Sequence, residues 1–153
     1  KSHILRVVRE LLYTNPTKNG TSIKTALDYL LKVAKRKSVV FLISDFLDDG
    51  YWSSLKVVNR KHDLIGIQLY DPAEIRLPDL GLAKIEDPET GSAFWIDTSS
   101  DHALKALKKQ LDIDQTKFEK ESRKIGFDII PISTDQDFVE PLLSLFKTRE
   151  KRN

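Results

Sequence analysis

The chain has 153 residues, enough for one domain with its own hydrophobic core, and its 40% apolar and 31% charged residues are ordinary for a globular protein. Its formal net charge of +2 gives no reason to expect binding to nucleic acid or to an acidic membrane. No apolar run approaches the roughly 20 residues of a membrane-spanning helix, no signal peptide is evident, and the absence of cysteine excludes disulfides and thiolate metal sites. We therefore expect a cytoplasmic protein.

The first part of the chain predicts two amphipathic helices. Apolar residues within 4–12 fall on one helical face. After a polar loop, Thr21 or Ser22 is expected to cap a second helix whose apolar positions run through residues 23–34. The basic residues 35–37 follow at its C-terminal end, where cations interact favourably with the helix dipole.

Three short apolar segments predict the strands of a sheet. They span residues 38–44, 64–70 and 127–132, and their continuous β-rich character is typical of parallel strands buried on both faces. Helical patterns around residues 53–61 and 99–126 lie between them, and the second is expected to be capped by Ser99 or Ser100 and ended by Gly126. This alternation predicts an α/β fold of three layers, with an open, mainly parallel sheet covered by helices on both faces.

Residues 82–97 have a different pattern, in which two alternating runs flank residues 87–91 and predict an added β-hairpin. The last helix is expected to begin close to Pro141, because proline is tolerated only in the first turn of a helix. The basic residues 147–153 are expected to fray. No repeat or linker divides the chain, so we predict a single domain over residues 1–146.

Polar residues at the carboxyl ends of the strands are the candidate site residues, because ligands of open α/β sheets bind there. They are Ser44, Asp45, Asp71, Thr134 and Asp135, with Thr21, Asp48 and Asp49 from neighbouring loops. A structural role is the alternative, since acidic residues at strand ends often cap helices or form turns. His62 precedes a strand at the opposite edge and is expected to be a turn residue. No glycine-rich phosphate motif, zinc-ligand spacing or nucleophile-elbow motif occurs in the chain.

Several motifs taken together resemble one protein family. Gly20–Ile23 opens a helix, and Val39–Phe46 is an apolar strand that ends in Ser-Asp. This pair is similar to the second and third parts of the metal-ion-dependent adhesion site of von Willebrand factor A-like domains. The resemblance is narrowed by Arg60–Asp63, Leu77–Leu82, Asp87–Gly91, Ile96–Ser99 and Ser133–Asp137. In combination these segments resemble the uncharacterised bacterial family called domain of unknown function 58, over nearly the whole chain.

The resemblance implies a non-enzymatic protein-binding module that works with a MoxR-type AAA+ ATPase on a protein client, in assembly or maturation. In the family's pattern, Thr21 is a direct ligand of Mg²⁺ or another divalent cation, Asp45 holds a coordinating water, and a partner's carboxylate completes the site. Ser22 stands where the family often has aspartate. One hydroxyl and one carboxylate are too few to hold Mg²⁺, which requires an octahedral shell of oxygens, so we expect no ordered metal on these residues alone.

The family's first site motif, Asp-x-Ser-x-Ser, does not occur in this sequence. The chain therefore resembles the C-terminal half of a longer protein, and its own N-terminal half is an expected partner. The strand bearing the absent motif would pair with strand 38–44, which we accordingly predict at an edge of the sheet. Either that half or a second copy of the chain, giving a homo-oligomer, would cover this edge.

Two other functions remain open at this point. One is a metal-assisted hydrolase on a Rossmann-like sheet that uses Asp45 and Asp135; the other is an interaction domain that binds no metal. The metal-site hypothesis requires that the Thr21 hydroxyl and the Asp45 carboxylate face a common point, about 4–6 Å apart.

Overall fold

A computed structural model of the chain describes residues 2–13, 20–75, 77–86 and 91–151. Its helices are α1 (Ser2–Tyr13), α2 (Ile23–Val33), α3 (Trp52–Lys61), α4 (Pro72–Ile75), α5 (Asp101–Ile125) and α6 (Val139–Glu150). Its strands are β1 (Val39–Ser44), β2 (Asp63–Tyr70), β3 (Leu82–Glu86), β4 (Ala93–Asp97) and β5 (Asp128–Ser133). Residues 17–19 of the predicted polar loop and 87–90 of the hairpin turn lie outside the described residues.

The main sheet has three strands, all parallel, in the order β1-β2-β5. The pair β3 and β4 forms the separate antiparallel hairpin that the sequence predicts. The α/β class is therefore confirmed, and β1 lies at an edge of the sheet as expected.

One face of the sheet carries the larger hydrophobic core. Apolar side chains of α2, α3 and α5 meet the side chains of β2 and the aromatic rings of Phe46 and Phe127 there. Leu55 and Val58 of α3 are completely buried. Gly66 in β2 leaves room for the rings, since a Cβ atom at this position would lie 2.5 Å from Cζ of Phe127. The absence of a side chain at this position is therefore a packing requirement.

The opposite face is covered only in part. Leu142 and Leu145 of α6 pack on a cluster formed by Ile65, Ile67, Ile130 and Ile132. Our expectation that strand 38–44 is buried on both faces is wrong for β1, because alternate residues from Val39 to Ile43 are exposed. Among the residues that the structure describes, no helix covers them.

The end of α6 differs from the expected frayed tail. The helix continues to Glu150, so residues 147–150 are helical, and Pro141 lies in its first turn as predicted. Arg149 donates hydrogen bonds to both carboxylate oxygens of Asp63 at 2.7 and 3.1 Å and to Oδ2 of Asp128 at 2.8 Å. These carboxylates stand at the starts of β2 and β5, and their attraction for the guanidinium fixes the last turn of the helix.

The ends of α2 and α5 are formed by the capping residues that the sequence predicts. Of the two candidate caps for α2, the structure selects Ser22, whose Oγ accepts a hydrogen bond from the backbone N–H of Thr25 at 3.3 Å. Ser100 caps α5 in the same way. Gly126 ends α5 in the left-handed conformation, with a φ of 63°, as the sequence predicts.

Candidate functional site at the carboxyl edge of the sheet

The segments that carry Thr21 and Asp45 come together at one edge of the fold. Asp45 directly follows β1, and Thr21 directly precedes the cap of α2. Oδ2 of Asp48 accepts a hydrogen bond of 2.7 Å from the backbone N–H of Ile23, the first residue of α2. This bond fastens the loop after β1 to the start of α2. The separation of the Thr21 and Asp45 oxygens stays a prediction.

The loop after β1 is held by short-range hydrogen bonds. Oδ1 of Asp45 accepts from the backbone N–H of Leu47 at 3.1 Å and from the hydroxyl of Ser44 at 3.3 Å. The Ser44 oxygen in turn accepts from the backbone N–H of Phe46 at 3.1 Å. The Asp45 side chain is thus oriented by its own loop while the residue stays exposed to solvent.

Phe46 has a strained backbone. Its φ of 62° makes it the one residue other than glycine with positive φ among those that the structure describes. Such a conformation costs on the order of 1–3 kcal/mol in a residue with a side chain, and it persists only where surrounding contacts enforce it. Here the ring is buried, with its centroid 5.0 Å from that of Phe118 and 6.1 Å from that of Phe127. Strained residues cluster at functional sites, which favours a functional role for this turn.

Negative charge converges beside the same turn. The buried Tyr51 hydroxyl donates a hydrogen bond of 3.4 Å to the backbone oxygen of Phe46. Burial raises the pKa of Tyr51 far above its usual value of 10.0, and the carboxylates of Asp48, Asp49 and Asp45 raise it further. Yet the described residues contain no group of three or more histidine, aspartate or glutamate side chains placed to hold a metal ion.

The raised pKa of Tyr51 predicts a loss of stability at high pH. Below pH 10 the phenol is protonated in the folded and the unfolded chain; above pH 10 only the unfolded chain ionises, so folding becomes less favourable as pH rises. We expect Tyr51→Phe to reduce the fall in the urea midpoint between pH 8 and pH 11. Tyr29→Phe, at an exposed tyrosine, is the control. Equal falls in both variants would contradict the prediction.

The remaining candidate acids have local structural roles. Oδ1 of Asp71 accepts from the backbone N–H of Ala73 at 2.8 Å, at the start of the short helix α4. Asp135 accepts a hydrogen bond from the hydroxyl of Ser133. These contacts are the turn and capping interactions that are expected if acidic residues at strand ends have a structural role.

His62 lies in the turn between α3 and β2, as predicted, but it is buried there. It ends α3 at the amino edge of the sheet, with only 2% of its surface exposed. Neither of its ring nitrogens has a hydrogen-bond partner among the described residues. It lines a cavity of about 650 Å³ together with Asp63 and Arg149. In the sequence, this region was singled out only by the motif Arg60–Asp63, and that motif does not predict that His62 is buried.

Within the described residues, no helix is both long and apolar enough to cross a membrane. No solved structure matches the chain.

Comparison with known proteins gives the family. An uncharacterized protein of Mycobacterium avium, MAV169, is 30% identical over an alignment of 134 residues that covers 84% of this chain and 76% of that protein. The uncharacterized proteins Mb1516 of Mycobacterium bovis and Rv1480 of Mycobacterium tuberculosis are each 27% identical over 134 residues, which make up only 41% of their length. Residues 1–117 match the family described as "Protein of unknown function DUF58". With 117 of its 153 residues matched, the chain belongs to the DUF58 family.

Proposed function

We propose that this chain is part of a von Willebrand A-like, non-enzymatic module that binds protein partners through Mg²⁺ at the carboxyl edge of its sheet. Thr21 is the direct ligand and Asp45 holds a coordinating water. The observation that carries the proposal is the bond between Asp48 and the N–H of Ile23, which joins the two segments bearing these residues. The enforced left-handed turn at Phe46 adds support.

The proposed site is shared between several pieces of polypeptide. A threonine hydroxyl is a neutral ligand, and a carboxylate that acts through water contributes charge without occupying the metal's coordination shell. The other oxygens therefore come from polypeptide outside residues 1–153 and from a carboxylate of the bound partner. Such sharing makes metal binding and partner binding mutually dependent, because the partner's carboxylate is a ligand of the metal and the metal is the point at which the partner attaches.

The partners we propose are a MoxR-type AAA+ ATPase and a protein client, in the cytoplasm. Support for these partners comes from the family resemblance of the motifs. We also propose that the protein's own N-terminal half covers β1, with a second copy of the chain as the alternative. The open side of β1 supports this, because among the described residues no strand pairs with that side.

A metal-assisted hydrolase using Asp45 and Asp135 is a less favoured function. These residues follow β1 and β5, which lie on either side of β2 and are therefore about 10 Å apart. One metal ion requires ligand oxygens within about 4–5 Å of one another. An interaction domain without metal, in which Thr21 and Asp45 have only structural roles, is the remaining alternative.

Calorimetric titration of Mg²⁺ into the complete gene product tests the proposed site. We expect Thr21→Ala and Asp45→Asn each to weaken Mg²⁺ binding by about 10-fold or more, because loss of a residue outside the coordination shell typically costs about 10–100-fold and loss of a direct ligand should cost at least as much. Asp79→Asn, an exposed acid in a different loop, is the control and should bind as the parent protein does.

Three results would contradict the proposal in different ways. Unchanged Mg²⁺ affinity in both site variants would show that Thr21 and Asp45 are not part of the site. Absence of Mg²⁺ binding by the parent protein favours the metal-free domain. Turnover of phosphoesters that Asp45→Asn abolishes favours the hydrolase. Mg²⁺-dependent capture of a purified MoxR-type ATPase, lost in Thr21→Ala, supports the proposed partnership.

A further inference from the structure

Positive charge collects at the amino edge of the sheet, where the strands begin. The helices α2, α3 and α5 end at this edge, because each of them leads into a strand of the main sheet. Helix α6 ends there too, since Arg149 contacts carboxylates at the starts of β2 and β5. Four helix ends therefore bring their cationic residues to one surface, which we call the basic amino edge.

The charges of the basic amino edge contrast with those at the other ends of the strands. Ten cationic and three acidic side chains belong to its segments, which are residues 35–37, 60–63, 123–128 and 147–151. Eight acidic side chains and no cationic one belong to the segments that directly follow the strands, which are residues 45–49, 71–74 and 134–140. The net charge of +2 is thus the sum of two oppositely charged surfaces, about 20 Å apart along a strand of six residues.

Most cations of the basic amino edge are not used by the fold. Arg149 is held by two aspartates, and Lys61 donates to backbone oxygens at the end of α2. Arg123 and Lys124 pair with glutamates of α5. The other six have side chains with neither a hydrogen bond nor an ion pair to any residue that the structure describes. They are Lys35, Arg36, Lys37, Arg60, Lys147 and Lys151.

The ends of α2 and α5 do not require these six cations. Nζ of Lys61 lies 2.8 Å from the backbone oxygen of Ala34, just beyond α2. The side-chain amide of Asn59 donates to the backbone oxygens of Ile125 and Gly126 at 3.0 and 3.1 Å, at the end of α5. Because these helix ends already have donors, interaction with the helix dipole does not account for the accumulated charge.

A cavity at the basic amino edge adds a second observation. Two of the six cations, Lys37 and Arg60, line this cavity of about 650 Å³. His62 lies in its lining, and neither of the buried ring nitrogens has a hydrogen-bond partner among the described residues. Buried polar groups nearly always have such a partner, so the lining favours a polar guest over an apolar one.

The mixed charges of the lining favour an acidic polypeptide over a nucleic acid. Asp63, Asp128 and Glu150 also line the cavity, and carboxylates repel a phosphate backbone, which carries a charge at every nucleotide. The acidic side chains of a polypeptide are separated by neutral groups, so they can reach Lys37 and Arg60 without approaching these carboxylates. Charge complementarity of this kind orients and speeds the association of proteins.

We infer that the basic amino edge is a second interaction surface, which binds an acidic segment of a protein partner, with Lys37 and Arg60 as central contacts. The proposed metal site lies at the other ends of the strands, so the module holds two partners at opposite ends of its sheet. This surface goes beyond the proposed function and does not depend on a metal ion.

Fluorescence anisotropy of a labelled oligoglutamate peptide, titrated with the complete gene product, tests this inference. The titration is made in EDTA at an ionic strength of about 0.1 M, where charges interact over about 10 Å. We expect saturable binding, which Lys37→Glu combined with Arg60→Glu should weaken at least about tenfold, because attraction becomes repulsion at both positions. Replacing the same two residues with glutamine removes only the attraction and should give a smaller loss.

Lys108→Glu combined with Lys109→Glu is the matched control. Both lysines are exposed, they lie roughly 25 Å along α5 from its C-terminal end, and their replacement changes the net charge equally. This variant should bind the peptide within about twofold of the parent protein. Thr21→Ala should also bind it as the parent does, so this inference and the metal site are tested separately.

Several results would overturn the inference. Equal losses in the two glutamate variants would show that the position of the cations does not matter, and the absence of saturable binding would remove the surface altogether. Tighter binding of oligothymidylate than of oligoglutamate would assign the edge to nucleic acid. Self-association that light scattering detects in the parent, but not in the variant at Lys37 and Arg60, would assign it to the acidic end of a second copy.

Discussion

Replacing Gly66 with alanine is expected to lower the free energy of unfolding by about 3 kcal/mol, the upper end of the usual cost of overpacking a core. The added Cβ would lie 2.5 Å from Cζ of Phe127 and 3.3 Å from Cζ of Phe46. Both rings are at least 94% buried among other large side chains, so neither can move without displacing its neighbours. Denaturation in urea, followed by circular dichroism, measures the loss.

The Gly66 effect has two controls. Gly50→Ala adds a methyl group at a glycine with a φ of +76° and nothing within 4 Å, so only backbone strain of about 1 kcal/mol is expected. Phe127→Leu in the Gly66→Ala background should recover about half of the loss, because it removes the clashing atoms, and a double-mutant cycle reports this coupling. If Gly66→Ala lowers the free energy of unfolding no more than Gly50→Ala does, the two rings must be able to move aside, and the prediction is wrong.

Arg149→Met is expected to lower the free energy of unfolding by about 2–3 kcal/mol. Removing one partner of a buried ion pair costs more than this, but the three side chains here are 22–39% exposed, which reduces the effect. The substitution leaves the carboxylates of Asp63 and Asp128 side by side without their shared cation. We expect α6 to loosen first, because its other contacts with the sheet are mainly those of Leu142 and Leu145.

Arg123 offers a matched control on α5. Its guanidinium lies 2.7 Å from a carboxylate oxygen of Glu119, but its side chain is 79% exposed. Arg123→Met should change the unfolding free energy by less than about 0.5 kcal/mol, as is usual for surface pairs. Similar losses in the two variants would show that the ion pairs of Arg149 contribute no more to stability than an exposed surface pair. Hydrogen exchange would identify α6 as the segment affected.

Much of the fold follows from local patterns. The strands, the helices other than α4, a cap at Ser99 or Ser100 and the end of α5 at Gly126 were predicted, because hydrophobic periodicity and capping chemistry act over a few residues. The ordered end of α6 was not predicted, since Arg149 is fixed by carboxylates 21 and 86 residues away in the chain. The exposure of one face of β1 was also not predicted. The sequence of an apolar strand indicates that burial is favourable, but it does not indicate whether a neighbouring element covers the strand.

The site was predicted less completely than the fold. Thr21 and Asp45 were candidates because of their positions near the carboxyl ends of the strands, and their metal-binding roles came from the family resemblance; the bond between Asp48 and Ile23 joins their segments at one edge. The role of Asp48 as the link between them depends on a contact across 25 residues, and the strained turn at Phe46 depends on ring packing. Position 46 is phenylalanine and not glycine or asparagine, so the local sequence does not predict a left-handed conformation there.

The open edge of β1 has a practical consequence for handling the protein. Residues 39–43 are five consecutive apolar residues of high β propensity, without the proline or charge that usually protects an edge strand. Short segments of this kind can stack as cross-β fibrils when their edge is accessible. While this edge is uncovered, concentrated solutions should therefore form thioflavin-positive aggregates before the fold itself melts, and Phe41→Lys should delay them.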